Sequence, residues 1–244
     1  MKEARAMPNS FDNRQLRTCL RGLALLASAI LMAAAKPPIH PVVHRSTMVT
    51  VTPDGAHVLG DPAAKIRLTE YISYTCPHCV HFNQESEATL RMTFVASGKG
   101  SVEIRQYIRN PIDMAAALLV GCGGPTNFIR LHDIFLNTQT EWMAKVANLN
   151  DAQRQRWETG PISGRMRAIA GDLDFYRVME NNGFSRPAVD RCLNDEAAMK
   201  RLAAQTEAAT TAGVEGTPGF AIDGVVLTGT YDWTMLAPQL QARE

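Results

Sequence analysis

Two cysteines separated by two residues, in the segment Cys76-Pro77-His78-Cys79, lie where a predicted strand meets a predicted helix. Apolar residues alternate with more polar ones from Ile66 to Tyr74, and this period of two predicts a strand that ends just before the first cysteine. The residues after the motif, as far as Val95, have a helix-forming composition. A sheet and a helix must therefore meet at the cysteine pair, which favours a fold of the α/β class.

The first 35 residues differ from the rest of the chain. An uncharged apolar run of 14 residues, from Gly22 to Ala35, follows a basic segment that contains Lys2, Arg5, Arg14, Arg17 and Arg21. This layout predicts a signal peptide over residues 1–35, cleaved near Ala35, and a periplasmic or otherwise exported protein. A membrane-spanning helix needs about 20 apolar residues, so an uncleaved anchor is the weaker alternative. Residues 36–48, rich in proline and histidine, are expected to form a flexible tether.

The charge of the remaining chain excludes some partners. Five of the 25 basic and two of the 24 acidic residues lie in the first 35, which leaves 20 basic and 22 acidic residues. No basic run indicates a nucleic-acid partner, and no second apolar stretch indicates a membrane span. Partners must therefore be sought through the cysteines.

The middle of the chain, residues 111–212, is predicted to be helical throughout. Breaks at residues 123–125, 159–161 and 182–183 contain glycine or proline and divide it into several short helices. We interpret this part as a helical insert between two sheet-forming parts, residues 49–110 and 213–244. Residues 149–171 carry no clearer pattern than a helical hairpin or loop.

The sheet-forming parts contain three further strand signals. Val102 to Ile108 is a strand candidate that Asn110-Pro111 stops. After the insert, two short apolar segments, residues 220–222 and 225–227, flank Asp223-Gly224, which is a strong signal for a two-residue hairpin. A final helix is predicted from Trp233 to Gln241.

The position of Cys76 suits a reactive thiolate. It stands where the helix begins, so unpaired backbone N–H groups and the positive end of the helix dipole face its sulfur. Pro77 fits the first helical position, and His78 offers a donor or a cation that would lower the pKa of the cysteine further. Disulfide exchange also needs a sulfur that solvent can reach, and Cys76 is expected to be accessible. Cys79, one helical turn further on, is then the resolving thiol.

A metal site is the competing interpretation of this pair. Structural zinc usually takes four ligands, often as two local pairs. Cys122 and Cys192 are isolated from the motif, and His81 has the wrong spacing for a zinc finger, so no metal ligands are assigned. In an exported protein a bridge between Cys122 and Cys192 is favoured over two buried free thiols.

The chain resembles the DsbA-like family of bacterial envelope proteins from about residue 56 to its C-terminus. The matching residues are Gly60-Asp61-Pro62, Glu70, Ser73-Tyr74, Cys76-Pro77-His78-Cys79, Gly216-Thr217-Pro218 and Ile222-Asp223-Gly224. The resemblance implies an α/β thioredoxin fold with an inserted all-helical sub-domain. It also implies a redox-active Cys76–Cys79 disulfide without a separate cofactor, and some relatives carry a structural disulfide like Cys122–Cys192.

The resemblance adds two functional expectations. Glu70 matches a buried acidic residue beneath the redox centre that moves the proton of the resolving thiol, although exposure of Glu70 at a strand edge stays an alternative. Pro218 matches a cis proline that faces the cysteines, where the backbone of Thr217 can pair with a substrate strand. The alternative is an ordinary turn proline.

These residues favour an exported thiol:disulfide oxidoreductase that donates a disulfide to folding secreted proteins. Its expected partners are unfolded exported proteins with free thiols and a membrane redox partner that reoxidises it. A disulfide isomerase or reductase is the close alternative, because Thr217 also occurs in isomerase-type relatives whereas His78 favours oxidation. A non-enzymatic metal carrier is the weaker alternative. The short segment between the cleavage site and the fold favours a monomer.

Overall fold

The computed structural model describes residues 45–244. The predicted signal peptide, its cleavage site near Ala35 and residues 36–44 of the predicted tether lie outside the described residues. The last part of the tether, Arg45–Thr47, forms one turn of 3-10 helix. Within residues 45–244, no helix is both long and apolar enough to cross a membrane.

The described residues form six strands and ten α-helices. The strands are β1 (Val49–Val51), β2 (His57–Leu59), β3 (Ile66–Ile72), β4 (Gly100–Gln106), β5 (Gly219–Ile222) and β6 (Val225–Val226). The helices are α1 (Pro77–Thr89), α2 (Pro111–Cys122), α3 (Gly124–Asn137), α4 (Gln139–Met143), α5 (Asp151–Glu158), α6 (Ile162–Asp172), α7 (Phe175–Asn181), α8 (Arg186–Leu193), α9 (Glu196–Thr211) and α10 (Trp233–Gln241).

The six strands form one mixed sheet in the order β1-β2-β4-β3-β5-β6. Strands β3 and β4 run parallel, and the other neighbours are antiparallel. Helix α1 supplies the crossover that a parallel pair requires. Glu70 lies at the centre of the sheet, opposite Ile104 on β4 and Phe220 on β5.

Helices cover both faces of this sheet. On the face of Glu70, the ring of Phe82 on α1 lies 4.7 Å from that of Phe220 and 6.4 Å from that of Trp233 on α10. Side chains alternate along a strand, so Tyr71 points to the opposite face. There it packs with Ala209 at the end of α9. Strand β3 is therefore buried on both faces apart from Arg67.

Eight helices, α2 to α9, lie between β4 and β5 and form the insert. They share the hydrophobic core of the sheet. Within the insert, aromatic rings pack together: the ring of Phe175 lies 5.1 Å from that of Phe135 and 5.3 Å from that of Trp142. Two of the predicted breaks, 159–161 and 182–183, fall between helices, whereas at 123–125 only Gly123 separates α2 from α3, which already begins at Gly124. Residues 149–171 form α5 and most of α6. The domain bounds 49–110, 111–212 and 213–244 stay a prediction.

Several local predictions are confirmed. Residues 223 and 224 join β5 and β6 as a two-residue hairpin turn, with φ of 50° at Asp223 and 83° at Gly224. The final helix has the predicted bounds, Trp233–Gln241. Strand β3 covers most of the predicted segment.

Other boundaries differ from the prediction. The predicted strand Val102–Ile108 is wrong by two residues at each end, because β4 begins where Gly100 pairs with Ile66 on β3. At the other end Ile108 leaves the sheet, and its N–H donates to the hydroxyl of Thr206 on α9. Helix α1 also ends at Thr89, and the segment Leu90–Val95 continues as a π-helical turn.

Candidate active site

The chain places Cys76 at the junction between β3 and α1. Cys76 is the N-cap residue of α1, with an extended backbone (φ −90°, ψ 117°), and Pro77 occupies the first turn. No side chain caps the helix here, so its first N–H groups are available to the sulfur. Both Cys76 and Cys79 are free thiols in this structure.

The surroundings of Cys76 stabilise its thiolate. They lower the pKa of Cys76 to about 5, chiefly through a hydrogen bond from the Cys79 thiol. Burial opposes this effect, while the Thr217 hydroxyl and the backbone N–H groups of Cys79 and His78 add to it. Within residues 45–244 the buried Thr217 hydroxyl makes no regular hydrogen bond, so it is free to turn towards the anion. A thiolate at this position is the species that attacks, and leaves from, a disulfide.

Cys79 has the opposite protonation preference. Burial raises its pKa well above the ordinary value, and the hydrogen bond to Cys76 and the charge of Cys76 raise it further. The backbone N–H of Ser73 acts in the other direction. The pair can therefore hold one thiolate and one thiol, with the proton on the inner sulfur.

The expected accessibility of Cys76 is wrong for this dithiol form. Cys76 is 2% exposed, because the loop before β5 covers it: the Cys76 thiol donates to the Thr217 carbonyl oxygen over 3.1 Å. A groove adjoins this contact, lined by His78, His81, Thr217, Pro218, Tyr231 and Met235.

The predicted cis proline is present. The Thr217–Pro218 peptide bond is cis, and Pro218 is buried beside the cysteine pair. The alternative of an ordinary trans turn proline is thereby excluded. The role of the Thr217 backbone in pairing with a substrate stays a prediction.

The histidines near the motif lie at the surface. His78 is exposed, and the donor that it contributes to the sulfur of Cys76 is its backbone N–H. His81 is also exposed, and its Nε2 lies 3.2 Å from a carboxylate oxygen of Glu85. Within the described part of the chain, no group of three or more histidine, cysteine, aspartate or glutamate residues could hold a metal ion.

Glu70 is buried, not exposed at a strand edge. It lies on the central strand with 6% of its surface exposed, and burial raises its pKa to about 8. It lines a small cavity together with Asn83 and Ser86, which follow Cys79 on α1. Glu70 therefore faces the helix that carries Cys79, and it holds a proton near neutral pH.

The pKa of Glu70 predicts how stability depends on pH. Between pH 4.5 and 8, an unfolded chain loses the Glu70 proton while the folded chain keeps it, so the folded state is progressively disfavoured. The free energy of unfolding should fall by up to about 1.4 kcal/mol per pH unit across that window. We expect Glu70→Gln to remove this fall. Urea unfolding of both proteins from pH 5 to pH 8 measures it. Parallel stability curves for the two proteins would contradict a raised pKa at Glu70.

A second pair of cysteines forms a disulfide in the insert. Cys122 at the end of α2 is bonded to Cys192 on α8, with a Cα–Cα distance of 5.7 Å and 70 residues between them. The expected bridge is thus confirmed. Both cysteines of the bridge are only partly buried.

Sequence reasoning missed the residues that hold the segment before Cys76. Side chains of the insert, Asp113 and Gln139 among them, hydrogen-bond residues 73–75. The helix start at Asn110-Pro111 was a visible signal, since an asparagine N-cap followed by proline marks a first turn. Nothing local connects that turn to the cysteine motif.

The comparisons with known proteins agree with this geometry. The sequence model of the family described as thioredoxin matches residues 52–242. The crystal structure of a protein-disulfide isomerase from Novosphingobium aromaticivorans is similar, with 50% identity and a TM-score of 0.75. The match covers 78% of this chain and 97% of the Novosphingobium protein. Wolbachia pipientis alpha-DsbA1 shares the fold at 20% identity, with a TM-score of 0.60 over 76% of this chain and 88% of that chain.

Curated relatives share the sequence over most of the described residues. A candidate protein-disulfide oxidoreductase of Rickettsia conorii is 28% identical over 200 residues, which is 81% of this chain and 64% of that protein. The chain spans between 54% and 64% of the length of the curated relatives it matches. With the strand order and the helices between β4 and β5, these matches confirm the thioredoxin fold with its inserted helices. The chain therefore belongs to the thioredoxin family.

Proposed function

We propose that this protein is exported and donates the Cys76–Cys79 disulfide to folding secreted proteins. The observation that carries the proposal is the opposed protonation of the two sulfurs: the pKa of Cys76 falls to about 5, and that of Cys79 rises well above its ordinary value. A stabilised Cys76 thiolate is a good leaving group, so the mixed disulfide resolves towards an oxidised substrate.

The exchange proceeds in two steps. A substrate thiolate attacks the Cys76 sulfur of the oxidised protein, the Cys76–Cys79 bond breaks, and Cys79 leaves with the electron pair. In this proposal Glu70, which burial keeps protonated near neutral pH, supplies the proton that Cys79 takes up. A second substrate thiolate then attacks the substrate sulfur of the mixed disulfide and releases the Cys76 thiolate. The substrate loses two electrons, and the protein gains them as one thiolate and one thiol.

The groove beside Thr217 and Pro218 supplies the substrate site in this proposal. An extended substrate segment pairs with the Thr217 backbone and so brings its thiolate towards Cys76. Tyr231 and Met235, which are 49% and 48% exposed, add apolar surface at the groove. These features suit unfolded chains, whose apolar residues are accessible.

The cycle requires further partners. A membrane redox partner reoxidises the dithiol, and export through the predicted signal peptide places the protein in the periplasm or another oxidising compartment. We propose that it acts as a monomer and needs no cofactor beyond its redox-active disulfide.

A disulfide isomerase or reductase is the second candidate function. The relative at 50% identity is described as a protein-disulfide isomerase, and Thr217 is compatible with that activity. A substrate with several disulfides separates the two functions. We expect the oxidised protein to oxidise a reduced, unfolded substrate and to consume its own disulfide in equal amount. If instead the reduced protein rearranged scrambled disulfides and the oxidised form did not oxidise thiols, the proposal of an isomerase would be correct.

The metal-carrier alternative has its own measurement. Metal analysis of protein purified under reducing conditions should find no stoichiometric metal on Cys76 and Cys79. Stoichiometric bound metal together with an absence of thiol exchange would support a carrier.

A further inference from the structure

The helical insert, rather than the sheet, holds the segment that leads into Cys76. Residues 73–75 lie between the end of β3 and the N-cap of α1, and each is bound by a side chain of the insert. Gln139 on α4 donates to the Tyr74 carbonyl oxygen over 2.6 Å. The hydroxyl of Tyr74 lies 3.0 Å from Nδ1 of His132 on α3.

Asp113 in the first turn of α2 makes most of these contacts. Its carboxylate accepts the Ser73 hydroxyl at 2.9 Å and the backbone N–H of Thr75 at 2.8 Å. It also accepts the backbone N–H of Arg109 at 2.9 Å. Every one of these partners donates, which suits an ionised carboxylate with no proton of its own. Asp113 is 1% exposed, so its loss would leave buried donors unpaired.

The backbone of Ser73, whose side chain Asp113 holds, hydrogen-bonds both redox cysteines. The Ser73 carbonyl oxygen accepts the N–H of Cys76 at 3.1 Å and so fixes the start of α1. The Ser73 N–H donates to the sulfur of Cys79. Asn110 joins the same contacts. Its side-chain oxygen accepts the Asp113 N–H and so caps α2, and its amide nitrogen donates to the Thr75 hydroxyl.

We propose that Asp113 is a positioning residue of the redox centre: by holding Ser73 and Thr75 it fixes Cys76 at the N-terminus of α1, so the insert controls how well the Cys76 thiolate is stabilised. The inference rests on the proposed function, since it takes Cys76 as the reactive thiol. Asp113 acts through the backbone and touches neither sulfur.

Asp113→Asn tests this proposal with little change in volume. The asparagine keeps one acceptor oxygen but replaces the other with an amide donor, which cannot accept an N–H group. The sulfur of Cys76 should then be held less firmly beside the N–H groups at the start of α1. We expect the pKa of Cys76, read from thiolate absorbance during a pH titration of the reduced protein, to rise by about one unit or more.

A matched control separates positioning from general loss of stability. Asp195 also accepts a backbone N–H at a helix start in the insert, that of Ala198 at 2.8 Å. Asp195→Ala removes this helix cap and should lower stability without moving the pKa of Cys76. If Asp113→Asn does not fold, Ser73→Ala removes part of the same contact and should shift the pKa less, in the same direction.

Two results would overturn the proposal. An unchanged pKa in folded Asp113→Asn would make Asp113 purely structural, and a lowered pKa would mean that its charge, not its hydrogen bonds, acts on Cys76. The titration needs no substrate. Failure of the wild-type protein to oxidise thiols would therefore count against the proposed function and leave the positioning result readable.

Discussion

Replacing Cys76 with serine is expected to abolish disulfide exchange, whereas replacing Cys79 with serine is expected to trap substrates as mixed disulfides. The first change removes the sulfur that the substrate attacks. In the second variant the Cys76 thiolate can still attack a substrate disulfide, and the mixed disulfide persists because no inner thiol is present to attack the Cys76 sulfur and release the substrate. The expected effects are thus complete loss in one variant and accumulation of a covalent intermediate in the other.

Non-reducing electrophoresis and mass spectrometry of the trapped species measure this difference. A variant with serine at both Cys122 and Cys192 is the matched control, since it loses two cysteines but keeps the redox pair and should still exchange. Equal trapping by the Cys76 and Cys79 variants would contradict the roles assigned to the two sulfurs.

Loss of the Cys122–Cys192 bridge is expected to have the largest effect on stability. The bridge connects α2 to α8 across 70 residues, so it restricts the unfolded chain strongly. By chain entropy alone, a loop of this length contributes about 4 kcal/mol to the free energy of unfolding. We therefore expect the variant with both cysteines replaced by serine to unfold at a much lower urea concentration than the oxidised protein.

Reduction of the wild-type protein provides the internal control for this prediction. Mild reductant should open the Cys76–Cys79 bond first, because stabilisation of the Cys76 thiolate favours the reduced state, and should leave most of the stability intact. Strong reductant should bring the wild-type protein to the stability of the double variant. A stability difference below about 1 kcal/mol would show that the bridge does not constrain the unfolded chain as supposed.

Local sequence signals predicted those elements whose structure depends on near neighbours. The Asp223-Gly224 turn is one case, because both residues adopt the left-handed conformation that such a hairpin requires. The helix start at Cys76-Pro77 is another, since the proline needs no N–H partner in the first turn. Glu70 was recognised as a charged residue on a core-facing strand position.

Contacts between distant parts of the chain could not be read in this way. Strands β1 and β2 have three residues each, too few for a period of two, and they exist through antiparallel pairing with each other and with β4. The burial of Cys76 depends on Thr217, which lies 141 residues away. The contact of Asp113 with Thr75 spans 38 residues and brings together two elements whose packing no local pattern specifies.

The reduction potential of the Cys76–Cys79 pair tests the central claim most directly. Whatever stabilises the Cys76 thiolate stabilises the dithiol form over the disulfide, and each pH unit by which its pKa lies below the ambient pH is worth about 1.4 kcal/mol, or about 30 mV. With a Cys76 pKa of about 5, the thiolate should raise the potential at pH 7 by about 60 mV relative to an untitrated thiol. Equilibration with glutathione buffers should therefore give a value well above about −270 mV, which is typical of thioredoxin. A potential at or below that value would contradict disulfide donation and make the protein a reductase.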